Sequence, residues 1–164
     1  MNSYGVNPPT NMWKAILSSP RTLELKQLNG KFQFLQLPMS ELDGVGTSVT
    51  TITSQTLAPG HTLLSNVNSR SLDIRITFIP AQGSTLSLSV RKAGSQQTVI
   101  KYVQSNKELL VDRNASGNTS YDPAAGGVHT ATLQADANGK AQLRVLVDEC
   151  SMEVYGRARR GGDF

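Results

Sequence analysis

Two carboxylates and a thiol stand side by side near the end of this 164-residue chain: Asp148, Glu149 and Cys150, within "VDECSMEVYG" (147–156). These are the residue types of acid/base and nucleophilic chemistry. Paired carboxyls can cut a glycosidic bond when they face each other across it at about 5 Å. A cysteine nucleophile needs a base within hydrogen-bond reach. His129 is the candidate base, because 127–133 and 141–149 could pair as a hairpin.

The spacing speaks against both. Leu143, Val145 and Val147 fall on one side at period two, so 141–149 reads as a strand with a break near Cys150. Neighbours in a strand point to opposite faces, and Asp148 and Glu149 therefore do not converge on one substrate atom. No third group is identifiable that would orient a His129–Cys150 pair. Cys150 is expected to be a small, partly buried residue. No phosphate-binding Gly-rich loop, Gly-x-Ser-x-Gly or His-Glu-x-x-His motif is present. The single cysteine excludes an intramolecular disulfide framework and a multi-cysteine zinc site, and His61 and His129 lie far apart in sequence. No catalytic residue, metal or cofactor is expected.

Two Asn-x-Ser triplets, at Asn114 and Asn118, share one Gly/Asn-rich loop and are candidate N-glycosylation sites.

The elements that must position these residues are strands. "SLDIRITFI" (71–79), "TLSLSV" (85–90) and 141–149 alternate apolar and polar residues, the mark of half-buried strands. "TLELKQ" (22–27) and "KFQFLQL" (31–37) flank Asn29-Gly30, a strong hairpin signal. Further strands are expected at 49–57, 98–104, 108–112 and 127–133, with Gly, Asn and Pro turns between them. No amphipathic helix stands out. The length suits one domain with its own core. This pattern predicts an all-β protein, an antiparallel β-sandwich of two packed sheets.

Composition narrows the function classes. Aromatic residues are 5% of the chain and net charge is +4, with one basic cluster at Arg157, Arg159 and Arg160. A nucleic-acid footprint needs a basic face, with aromatic platforms for single strands, so no nucleic-acid partner is expected. No window approaches the roughly 20 apolar residues of a membrane span, and the first residues lack the pattern of a signal peptide.

Several segments together resemble glycoside hydrolase family 32, which contains invertases, inulinases, levanases and fructan exohydrolases. In "WKAILSSPRTLELKQLNGKFQFLQLP" (13–38), Trp13, Pro20, Arg21, Gln36 and Pro38 fit the family's junction between a catalytic β-propeller and a β-sandwich. "ELLVDRNASG" (108–117) resembles its Leu-x-Val-Asp-Arg-x-x-Ser-Gly segment. "LRVLVDECSMEVYG" (143–156) resembles its Leu-Arg-x-x-Val-Asp-x-Ser-x-Val-Glu-Val-Phe-Gly segment. The resemblance covers residues 1–156. It implies that the catalytic carboxylates belong to an Asn-Asp-Pro-Asn-Gly loop, an Arg-Asp-Pro segment and a Glu-Cys segment, all upstream of this chain. Glu149-Cys150 lies in the late sandwich region, so the acid/base role does not transfer to it. Asp148 and Glu153 carry the family match, with a structural role expected.

By this resemblance, residues 1–20 are the end of the propeller and a linker-like lead-in, 21–156 the sandwich, and 157–164 a disordered basic, glycine-rich tail. The last sandwich strands are expected to be missing. The implied function is a non-catalytic module of a β-fructofuranosidase-type enzyme, inactive alone, whose partner is the catalytic propeller or a second copy. The family is mostly secreted or vacuolar. The alternative is a stand-alone carbohydrate-binding module for fructans, with Trp13, Tyr102, Tyr121 and Tyr155 as candidate sugar contacts.

Overall fold

The alternating segments form nine strands in the computed structural model, which describes residues 16–28, 30–122 and 124–158. They are β1 (Arg21–Leu28), β2 (Lys31–Pro38), β3 (Leu72–Phe78), β4 (Thr85–Ala93), β5 (Gln96–Val103), β6 (Glu108–Asp112), β7 (Val128–Thr132), β8 (Ala141–Val147) and β9 (Met152–Ala158). One short 3-10 helix, Ser40–Gly44, follows β2. All pairings are antiparallel: a β1–β2 ribbon, a three-stranded sheet in the order β3-β8-β9, and a four-stranded sheet in the order β4-β5-β6-β7.

The two larger sheets face each other and share one core. Register aligns Ile74, Val145 and Val154 across the three-stranded sheet, and Leu88, Ile100 and Val111 across the four-stranded one. Val145 and Ile100 are fully buried. Phe78 meets Tyr102 edge-to-face between the sheets, at 5.3 Å between centroids. Alternation with one buried face per strand is what a sandwich demands. The expected sandwich is therefore observed. The ribbon is separate from both sheets.

Two expected pairings differ. Residues 49–57 form no strand; they belong to the irregular run between the 3-10 helix and β3, where Val49 and Ile52 are exposed. Thr, Val and Ile favour a pleated, half-buried surface, but no strand among the described residues offers this segment a partner. The second difference is that β7 pairs with β6 and β8 with β3 and β9. The hairpin that would bring His129 beside Cys150 does not form.

Gly156 explains one position of the late segment. It pairs with Leu143, and a Cβ on it would stand 3.1 Å from Leu133 Cδ1 and 3.5 Å from Leu109 Cδ2. Leu133 and Leu109 are buried, so the missing side chain lets the four-stranded side of the core close onto β9. Overfilling a packed core costs about 1–3 kcal/mol. Gly156→Val is expected to lower unfolding free energy by that amount in denaturant titrations. An unchanged midpoint would show that this contact does not limit packing.

Candidate functional site

The stretch that looked chemical is a turn. Val147 pairs with Met152, which leaves Asp148, Glu149, Cys150 and Ser151 as a four-residue loop closed by Asp148 N–H donating to the Ser151 carbonyl at 2.9 Å. Asp148 Oδ1 accepts from Ser71 Oγ at 3.0 Å, and Glu149 Oε1 from Arg70 Nη1 at 3.1 Å. Across the sandwich, Arg91 donates through Nη1 to the Asp148 carbonyl and through Nη2 to the Glu149 carbonyl, the latter at 2.5 Å. Arg91 sits at φ 52°, where the β4–β5 register shifts. A non-glycine residue there is costly, and its two carbonyl contacts help to hold it. The Asp148 carboxyl is held below the usual range, by the Glu149 N–H first and then the Ser71 hydroxyl. The two carboxylates thus brace a hairpin loop, while Cys150 is exposed rather than partly buried. His129 stands exposed on the edge strand β7, in the other sheet.

A denser constellation gathers where the ribbon joins the sandwich. Glu153, on the outer face of β9, accepts three hydrogen bonds: from Ser19 N–H (2.6 Å), Arg21 Nη2 (2.7 Å) and the Tyr155 hydroxyl (2.6 Å). Arg21 also donates through Nη1 to Gln36 Oε1 at 2.9 Å, and its guanidinium lies 5.5 Å from the Tyr155 ring centroid. Burial alone would raise the Glu153 pKa, but the three donors outweigh it and the carboxyl is held below its ordinary range. The Tyr155 hydroxyl is pushed up to about 12, first by burial and then by Glu153.

A second anchor lies just beyond the ribbon. Arg75 and Arg144 are paired directly across β3 and β8, where like charges repel. Two carboxylates neutralise them. Asp73 takes Arg144 bidentately at 2.8 and 2.9 Å and Arg75 at 2.8 Å. Asp43, from the 3-10 helix, bridges Arg75 at 2.6 Å and Arg144 at 2.9 Å. The ribbon is thus held at both ends: the chain enters past Ser19 and Arg21 and leaves past Asp43. Met39 N–H donating to the Pro20 carbonyl at 3.2 Å closes the base.

The ribbon's body gathers its large apolar side chains on one face. In its register Leu23 opposes Gln36, Leu25 opposes Phe34 and Gln27 opposes Phe32, so these residues project on one side together with Arg21. Leu23, Leu25, Phe32 and Phe34 are 58–71% exposed. Alternation in the sequence reveals this face, but not that it stays uncovered.

Among the described residues, the sequence-selected aromatic residues lie on different elements. Trp13 lies outside the described residues. Tyr102 is buried, 2% exposed, and lines a pocket of about 220 Å³ with Pro80, Gln104, Lys107, Gln134 and Gly139. Tyr121 is half-buried in the β6–β7 loop. Tyr155 belongs to the Glu153 constellation. Asn114 and Asn118 are both exposed in the β6–β7 loop. Sequence reading missed Ser19 and Asp43, because what makes them matter is a fold-dependent approach to β9 and β3.

Removing an acceptor that satisfies charged and neutral donors costs about 1–3 kcal/mol. Glu153→Gln is expected to lower stability by that much near neutral pH. A depressed carboxyl stabilises the fold above its unfolded value of about 4.3 and loses that contribution as pH falls through the folded value. The gap between wild type and Glu153→Gln should therefore narrow in acid. A raised tyrosine works the other way, contributing below about 10 and losing its effect as pH rises through the folded value, so the gap should also change in alkali. A gap that stays constant from acid to alkali would remove Glu153 from this role.

Comparison with known proteins places this arrangement. The family model described as "Glycosyl hydrolases family 32 C terminal" matches residues 41–160. A levanase of Bacillus subtilis (strain 168) is 33% identical over 157 residues, covering 93% of this chain and 23% of its own. An extracellular exo-inulinase of Aspergillus ficuum is 28% identical over 158 residues, covering 93% of this chain and 29% of its own. The crystal structure of exo-inulinase from Aspergillus awamori superposes with a TM-score of 0.70 at 24% identity, over 94% of this chain and 31% of that one. This shared fold agrees with the sandwich described above. The chain thus spans less than a third of the length of each of these relatives, and it belongs to the C-terminal domain family of glycosyl hydrolases family 32.

Proposed function

We propose that this chain is the non-catalytic C-terminal module of a fructan hydrolase and that its β1–β2 ribbon docks the catalytic domain. The exposed face of Leu23, Leu25, Phe32 and Phe34 carries this reading. Contiguous exposed apolar patches mark interaction surfaces, and fully burying a Leu or Phe side chain contributes about 1.5–3 kcal/mol before the costs of association. The partner follows from the family and from length: the levanase and exo-inulinase relatives are more than three times as long as the part this chain matches, and the family model describes the C-terminal part. The module would then act as a brace, and the chemistry would belong to the partner. That chemistry, by kinship with the levanase and the exo-inulinase, is cleavage of levan- or inulin-type glycosidic bonds by a pair of carboxyl groups. Secretion is the setting that the extracellular relative suggests.

The test is a chimera in which this chain replaces the C-terminal region of the Bacillus subtilis levanase. Leu25→Glu with Phe34→Glu is expected to lower the chimera's midpoint of thermal inactivation and its fructose release from levan, while the isolated chain keeps its own melting temperature. Equal inactivation of chimeras with and without the substitutions would refute the docking role. Fructose release from sucrose, inulin or levan by the isolated chain, free of host invertase, would refute the non-catalytic one.

One observation favours a carbohydrate-binding reading. Gln104, Gln134 and Lys107 line the pocket beside the buried Tyr102, and a few polar groups in a concave site can orient a sugar ring. Calorimetric titration with fructose and levan oligosaccharides decides it. Saturable heat that Gln134→Ala abolishes would support a sugar site, and no heat at millimolar ligand would dismiss it.

A further inference from the structure

The two Asn-x-Ser triplets of the β6–β7 loop are not equivalent, and exposure does not separate them, because both asparagines are exposed. Hydrogen bonding does. Asn114 is a staple. Its Nδ2 donates to Asp112 Oδ1 at 2.9 Å, its Oδ1 accepts from Gly127 N–H at 3.2 Å, and its own N–H donates to Asp112 Oδ1 at 3.1 Å. The neighbouring Arg113 N–H closes the same junction on the Gly127 carbonyl at 2.8 Å, and the Ala115 carbonyl accepts from Gln97 on β5 at 2.8 Å. The triplet's hydroxyl is occupied too: Ser116 is half-buried and its Oγ donates to the Arg113 carbonyl at 2.7 Å.

Asn118 is arranged the opposite way. Its Oδ1 accepts from Ser120 N–H at 3.0 Å and from Ser120 Oγ at 2.7 Å, so the asparagine and the hydroxyl two residues on face each other at the surface. The middle residue, Thr119, turns inward: a Cβ on Gly126 would lie 3.3 Å from its hydroxyl oxygen. With Oδ1 engaged by its own triplet, Asn118 Nδ2 has no partner among the described residues.

We propose that Asn118, and not Asn114, is the residue of this chain that carries an N-linked glycan when it passes through a glycosylating secretory route. The step uses a lipid-pyrophosphate-linked oligosaccharide as co-reactant. Asn118 Nδ2 bonds to the anomeric carbon, the carbon–oxygen bond to pyrophosphate breaks, the lipid pyrophosphate leaves with the electron pair, and one Nδ2 proton passes to the transferase. Transfer occurs on extended chain, so both triplets are offered. The fold then decides which modified chain matures. A glycan on Asn118 leaves from a nitrogen that the loop does not use. A glycan on Asn114 replaces an N–H hydrogen at the staple and sets a sugar ring between Asp112 and Gly127, where β6 ends and β7 begins.

The whole chain behind a cleavable leader, secreted from a glycosylating yeast, tests this. Peptide-N-glycosidase in heavy-oxygen water should remove one glycan and mark residue 118 as aspartate. Ser120→Ala should abolish the mass shift. Ser116→Ala, which cancels the first triplet but keeps the Asn114 staple, should leave the shift unchanged, and it keeps the test sound if Asn114→Gln does not fold. Label at residue 114, equal label at both residues, or no glycan on the secreted wild type would overturn the proposal.

Discussion

A single half-buried carboxylate ties the chain's entry into β1 to its last strand. Glu153 joins Ser19 and Arg21 across more than 130 residues of chain. A carboxylate withdrawn from water is costly unless its lone pairs are satisfied. Here a backbone N–H, a guanidinium and a phenol satisfy them together. The approach of the chain to β1 is therefore fixed by charge chemistry, and the direction in which the apolar ribbon projects is fixed with it.

The same logic accounts for the residues that mark the family. Arg21, Gln36 and Glu153 belong to segments far apart in sequence, yet they form one hydrogen-bonded cluster. Asp148 holds the loop between the last two strands, and Gly156 opens room for Leu133 and Leu109. They are the residues for which the sandwich and its junction have a specific geometric demand, met by a charge, a cap or the absence of a side chain.

Much of the fold is legible from alternation. β1 to β8 fall close to where period-two patterning puts them, and Gly30 stands at φ 74° between β1 and β2, where the Asn-Gly signal expects a hairpin. The break near Cys150 follows from the loss of alternation after Val147. Pairing is less legible. Period two tells which side of a strand is apolar, but not which strand lies beside it, so His129 and Cys150 read as neighbours although the topology assigns them to different sheets. The segment 49–57 fails for the opposite reason: it has the composition of a strand without a partner. The apparent active site misleads because Asp, Glu and Cys suit a solvent-exposed loop as well as they suit chemistry. The constellation around Glu153 escapes a local reading because its members meet only where the ribbon's base packs beside β9.

The Arg75–Arg144 pair has one more implication. Two guanidinium groups set opposite each other are tolerable only while Asp43 and Asp73 remain in place, and Asp43 comes from the segment that leaves the ribbon. Peeling that segment away would hand the three-stranded sheet an excess of positive charge at its centre. Opening of that segment would therefore be felt at β3 and β8, because Asp43 bridges the arginines of both strands. In hydrogen-exchange terms, amides of the ribbon's base would take their protection from the sheet beneath them rather than from the ribbon's own two strands.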